Sequence, residues 1–243
     1  DQLPDSNVAS ASYTNPGGMN TVTVPTLTGS DPEDGALGAG KTVVIETVPA
    51  NGTLYYDGIA VMAGQTITSY DPTKLTVDPG FEGSGTVIFT YAFVDAAGQK
   101  DPTPATATLT FNGVSLSGTV YDDANGLADA TVNGVGTNVV GTLYANLIQG
   151  GNVVTTTAVA ADGIYTFSNL SSGSYTVQVS INAGVVGNAM PMTVLPAGWV
   201  NTGENLGAGT GNDGTANGLL DVHLHDPREY TTDNHRTVDD RPY

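Results

Sequence analysis

Three carboxylates crowd into five residues at Asp31-Pro32-Glu33-Asp34-Gly35. Hard oxygens at this density suit Ca2+, which takes about six to eight of them. The same stretch also reads as an Asp-Pro turn running into an Asp-Gly turn. A second acidic loop, Asp122-Asp123-Ala124-Asn125-Gly126-Leu127-Ala128-Asp129, holds the D-x-N-G core of an EF-hand-like calcium loop. It lacks the full spacing and the closing bidentate Glu of that loop, and an Asx turn between strands is the alternative reading. His223 and His225 flank one residue, which on a strand puts two imidazoles on the same face about 7 Å apart. With Asp221 or His235 they have the ligand types of a transition-metal site, and they equally suit a solvated surface. Gly207–Gly218 is rich in Gly, Asn and Asp, but it is one copy of a pattern that binds calcium only when stacked in series.

Other chemistry is poorly provided for. The chain contains no Cys, so thiolate metal sites, disulfides and Cys nucleophiles are excluded. All three His fall in the last 21 residues and no nucleophile-elbow motif is present, which argues against a Ser-His-Asp hydrolase. The acidic residues cluster in turns, and Trp199 is the single Trp available to stack a sugar. The chain is therefore expected to be non-catalytic. The stretch from 113 to 220 has no Lys, so it cannot form a Lys–Asn isopeptide bond, and Lys41, Lys74 and Lys100 are not central in apolar strands.

The elements that position these residues are strands. In the 243 residues, Thr86–Val94 alternates, placing Val87, Phe89, Tyr91 and Phe93 on one face. Period-two segments precede it at Thr21–Leu27, Thr42–Val48, Thr53–Tyr56 and Thr66–Ser69, and Ala105–Phe111 follows. A second series comprises Val114–Tyr121, Thr142–Gln149, Val153–Ala158, Ile164–Phe167, Ser174–Ser180, Met192–Leu195 and Leu219–His225. Within Ser174–Ser180, Tyr175, Val177 and Val179 point inward and Thr176 and Gln178 outward. Asn201–Gly218 reads as a long loop. Gly and Asp turn signals separate the strands, and no segment has a convincing helical period. The fold class is all-β, two tandem β-sandwiches over residues 1–112 and 113–225, with a polar connector tail at 226–243.

Charge divides the chain along the same lines. The net formal charge is −18. Residues 1–112 contribute −9 with all three lysines, 113–220 contribute −6 with no Lys or Arg, and 221–243 contribute −3 with all three arginines. A field of this sign disfavours nucleic acid and anionic membranes as partners. No apolar run is long enough to insert in a membrane.

The segment Asp162-Gly-Ile-Tyr-Thr-Phe-Ser-Asn-Leu-Ser-Ser-Gly-Ser-Tyr-Thr-Val-Gln-Val179 resembles the signature of prealbumin-like sandwiches, including the B-type repeats of bacterial surface adhesins. Ser117–Asp129 resembles the first strand and acidic loop of those repeats. Leu27–Gly35, Asn51–Gly58 and Gly85–Asp95 resemble cadherin-like or immunoglobulin-like repeats of large bacterial surface proteins. These resemblances imply non-catalytic spacer or adhesion modules, secreted to the bacterial cell surface and often calcium-stiffened. The cadherin-like resemblance implies that Asp95, with Asp101 nearby in sequence, joins Asp31, Glu33 and Asp34 around calcium. The B-type resemblance implies the same cofactor for Asp122, Asp123, Asn125 and Asp129. The expected partners are copies of the chain itself, head to tail, with a surface glycan or protein as the alternative. Asp239-Asp-Arg-Pro242 echoes Asp1-Gln-Leu-Pro4, as in one period of an array, and the apolar residues of Thr21–Leu27 suit them to complete a neighbour's sheet.

Overall fold

A computed structural model describes residues 2–123, 125, 131–207 and 215–224, and the backbone of 235–241. The chain forms two units, Asp1–Gly113 and Val114–Tyr243. Strands dominate both.

In the first unit the long central strand Gly85–Val94 pairs with Ala105–Asn112 on one side and Thr42–Thr47 on the other. The five-stranded sheet is completed by Ala9–Thr14, parallel to Ala105–Asn112, and by Gln65–Ile67. A four-stranded sheet, Val22–Thr23, Leu75–Asp78, Thr53–Tyr56 and Ile59–Ala60, lies in the same unit. A third, short sheet joins Asp5–Ser6 to the hairpin Gly29–Asp31 and Gly35–Leu37. Val87, Phe89, Tyr91 and Phe93 are all fully buried, as their alternation predicts. The rings of Tyr91 and Phe93 meet edge-on, their centroids 5.9 Å apart. The single described helix is a 3-10 turn, Pro72–Lys74, capped by the Asp71 carboxylate accepting from the Thr73 amide.

Two sequence expectations are revised here. Thr21–Leu27 is a strand only at Val22–Thr23, because Pro25 cannot donate to a ladder. Val24 and Leu27 nevertheless enter the unit's own core, so they are not available to a neighbour's sheet. Ala9–Thr14 is a strand the sequence did not reveal: its residues are mostly small and polar, and pairing with Ala105–Asn112 makes it one.

In the second unit Val114–Asp122 pairs with Ile164–Leu170 and with the short Val135–Gly136. A separate sheet has the order Asn152–Ala158, Tyr144–Gln149, Gly173–Ser180, Leu219–Leu224. Its inward row of Tyr175, Val177 and Val179, with Val222 and Leu224, packs on Leu116, Tyr165 and Phe167. Met192–Leu195 is not a strand. The chain from 181 to 195 instead lies against the sheet, with the Ile181 amide donating to the Val194 carbonyl. Gln178, expected to point to solvent, is covered by that segment and fully buried. The expected loop Asn201–Gly218 begins as a strand, Val200–Leu206, and the backbone of the expected connector tail forms a strand at His235–Arg241. That strand runs parallel to Ser117–Tyr121 and antiparallel to Val200–Leu206, each supplying the other's missing ladder partner.

The Asp162-Gly163 step has a specific physical role. Asp162 accepts a hydrogen bond from the Ile164 amide at 3.1 Å, and Gly163 sits at φ +82°. A Cβ there would lie 2.2 Å from the Val120 carbonyl and 2.7 Å from the Thr137 amide, both backbone atoms. Gly163→Ala is expected to destabilise the second unit by about 2–3 kcal/mol, combining a left-handed backbone with a backbone clash. Urea unfolding of the variant with an unchanged midpoint would contradict this.

Candidate metal centre

The acidic turn of the first unit is the tip of the Gly29–Asp31/Gly35–Leu37 hairpin. Asp31 turns back into the protein and is 4% exposed. Its Oδ1 accepts from the amides of Glu33, at 2.9 Å, and Asp34, at 2.6 Å, which is an Asx turn. Its Oδ2 is buried and has no hydrogen-bond partner. Asp34 reaches across the same end of the unit, its Oδ2 accepting from the Ala96 amide at 2.6 Å. This contact draws the 31–34 turn and the loop after Gly85–Val94 together. Asp95, next to Ala96, is 8% exposed; its Oδ1 accepts from the Gln99 amide at 2.7 Å, and its Oδ2 is likewise buried without a partner. Glu33 is exposed and accepts from the Gln2 amide at 3.3 Å.

A buried carboxylate oxygen without a donor costs about 1–3 kcal/mol or more, so two at one end of a sandwich call for a cation or water. Among the described residues no three His, Asp or Glu side chains converge on a metal-sized point. A calcium ion there would therefore complete its shell with backbone carbonyls and water, as calcium sites often do.

Asp101 plays a different part. It is fully buried, and both its oxygens are engaged by protein donors: Oδ2 by the Ser6 amide at 2.7 Å, Oδ1 by the Thr103 amide at 2.7 Å and hydroxyl at 2.8 Å. Ser6 in turn accepts from the Phe93 amide through its Oγ at 2.9 Å. Asp101 thus fastens the first strand to the central one. Burial pushes its carboxyl upward, but the bonds from Thr103 and Ser6 outweigh that and hold it below the usual carboxylate range. The cadherin-like resemblance brought in Asp101 through its nearness to Asp95, but it did not reveal Ser6 as the partner of Asp101 or Ala96 as that of Asp34, because both donate backbone amides.

In the second unit Asp123 is fully buried and its Oδ1 accepts from the Asn125 amide at 2.9 Å, again an Asx turn, while Asp122 is exposed at the end of its strand. Asp129 lies outside the described residues. His223 is exposed, as its strand register predicts, and pairs through Nδ1 with the Ser174 hydroxyl at 2.7 Å. His225 and the side chain of His235 fall outside the described residues.

Comparison with known proteins adds the following. Residues 114–237 match the family model described as the SdrD B-like domain. Among solved structures, the chain is similar to BcpA, the major pilin subunit of Bacillus cereus, at 12% identity over 99% of this chain and 70% of that one, with a TM-score of 0.38. It is also similar to GBS52, the minor pilin of Streptococcus agalactiae, at 9% identity over 100% and 97% of the two chains, TM-score 0.29. Human CDH23 EC21–23 is similar at 11% identity over 98% and 99%, TM-score 0.26. A stretch of 27 residues is 70% identical to a tRNA (guanine-N(1)-)-methyltransferase of Colwellia psychrerythraea, covering 11% of each protein. The chain thus spans about a tenth of the curated relatives it matches. Among the described residues no helix is long and apolar enough to cross a membrane.

Proposed function

This chain belongs to the SdrD B-like domain family through residues 114–237, and from that membership we propose that it is a non-catalytic structural module of a bacterial surface stalk or filament, stiffened by calcium. The observation that carries the calcium assignment is the pair of buried, partnerless Oδ2 atoms of Asp31 and Asp95. Asp31 and Asp95 would hold the ion, with backbone carbonyls and water completing its shell and Asp34 and Glu33 at the rim. Asp101 would support the site by holding the neighbouring strand, and Asp122, Asp123, Asn125 and Asp129 would offer a second site in the other unit. Copies joined end to end make a heterologous contact, which need not close and so extends. An all-β chain of two compact units suits that load-bearing role.

Extracellular calcium modules bind at roughly 10⁻⁴–10⁻³ M. At 1 mM calcium such a site stabilises its unit by about 0.4–1.4 kcal/mol. That raises the melting temperature by about 2–11 °C in a domain of this size. Calorimetry in calcium and in chelator is the test. The Asp31→Asn, Asp95→Asn double variant keeps the Oδ1 acceptors and is expected to melt at the same temperature with and without calcium. Identical melting of the parent protein in both conditions would remove calcium from the reading.

A further inference from the structure

The second unit carries a groove lined by residues outside its acidic loop. In the four-stranded sheet, Ile148, Thr176 and Asp221 stand side by side in register, and Ser174 stands beside His223. All five are on the face away from the core. The next part of that face, Asn146, Gln178 and Ser180, is covered by the 181–195 segment. The cover ends near Met190, whose amide donates to the Gly151 carbonyl at 3.0 Å. Beyond it the described residues form a pair of adjoining hollows of about 530 and 620 Å3 that share Ile148, Gly151, Thr176, Leu206 and Asp221. Each falls within the range of about 300–1,000 Å3 typical of ligand sites.

The lining has two chemistries. One wall is aliphatic: Ile148, Leu206 and, in the larger hollow, Met190. At its end the Thr176 hydroxyl donates to Asp221 Oδ1 at 2.5 Å, fixing a carboxylate beside that wall. Among the described lining residues Tyr175 is the one Phe, Tyr or Trp, and its ring belongs to the core, which disfavours stacking of a sugar. The unit Val114–Tyr243 carries 12 acidic residues against three arginines, a net charge of −9. An aliphatic wall leading to a carboxylate in an acidic field matches a lysine side chain, whose stem packs on apolar surface while its ammonium stays with charge and water.

The chain itself supplies such a residue. Lys74 is paired with Asp57 at 3.0 Å and Lys100 with Glu46 at 2.5 Å. Lys41 is exposed on the turn following Gly40 and has no ion pair among the described residues. We propose that the groove over Ile148, Thr176 and Asp221 receives Lys41 of a second copy of this chain, so that first and second units meet head to tail. This rests on the end-to-end joining proposed above and gives it a contact.

Zero-length carbodiimide coupling tests it, because this reagent joins an ammonium to a carboxylate only where the two touch. A mixture of unlabelled and 15N-labelled full chains is expected to yield a Lys41–Asp221 amide with mixed isotopes, identified by peptide mass spectrometry. The amide should be lost in Lys41→Gln, and Asp221→Asn should lower association severalfold by sedimentation velocity. Both variants should melt like the parent, since both residues are exposed. Association that survives both substitutions, or Asp221 coupling to Lys74 or Lys100 instead, overturns the contact and leaves end-to-end joining standing. Absence of any association overturns both. Chemical shifts of Thr176 and Asp221 are expected to move with Nα-acetyl-lysine methylamide and not with its norleucine counterpart; equal effects of the two would refute a site for the ammonium.

Discussion

Replacing Asp101 by Ala is expected to lower the stability of the first unit by about 2–4 kcal/mol, because it removes the acceptor of three hydrogen bonds and leaves the Ser6 amide facing a void. The loss should spread along the Asp101–Ser6–Phe93 chain of bonds and free the N-terminal strand first. Hydrogen exchange should then report faster exchange at Ser6 and Phe93 than in the parent. The same carboxylate makes the unit acid-sensitive. Its folded-state pKa lies below the unfolded value, so the unfolded chain takes up the proton first as pH falls. The stabilisation is fully present above the ordinary Asp value of about 4 and is lost as pH drops through the lower, folded-state value. Asp101→Asn is expected to cost less than Ala at neutral pH and to flatten the decline in acid. Denaturant melts between pH 7 and pH 2.5 decide the matter, and an Asn variant with the parent's acid slope would assign that slope to another carboxylate.

Asn146→Ala is expected to cost the second unit about 2–5 kcal/mol. Asn146 is fully buried and uses its whole amide: Nδ2 donates to Gln178 Oε1 at 3.0 Å and to the Asn182 carbonyl at 2.9 Å. Its Oδ1 accepts from the Thr156 hydroxyl at 2.6 Å and the Gly184 amide at 2.8 Å. Truncation leaves Gln178 Oε1 and the Gly184 amide buried without this partner, each costing about 1–3 kcal/mol. An apolar replacement of similar size fares no better, because the partners remain. The 181–195 segment, pinned by Asn146, Gln178 and Ser180, should become protease-sensitive in the variant. Thr157→Ala, on the adjoining strand Asn152–Ala158 and outside this network, is expected to change stability by no more than about 0.5 kcal/mol. Equal stabilities of the Asn146→Ala and Thr157→Ala proteins would show the network to be dispensable.

The two predictions also mark where sequence reading succeeds and where it stops. The alternation of Val87, Phe89, Tyr91 and Phe93 was legible because a strand's period of two forces every second side chain to one face, and burying bulky apolar groups decides which face is the core. The same rule placed Tyr175, Val177 and Val179 inside and His223 outside. The acidic turn at Asp31–Asp34 was legible from residue type, as was the nearness of Asp95, which the cadherin-like resemblance implied. What alternation does not carry is a second layer over an outward face: Gln178 read as pointing outward, yet it and Asn146 are buried because the 181–195 segment returns over them. Nor does it carry strands whose partners are remote. Ala9–Thr14 is a strand through Ala105–Asn112, and Val200–Leu206 through His235–Arg241. Residue types thus determined that this is an all-β chain of two cores with acidic turns. Tertiary structure alone decided which carboxylate oxygens lack a donor, since Asp31, Asp95 and Asp101 differ not in chemistry but in which backbone amides the fold brings to them.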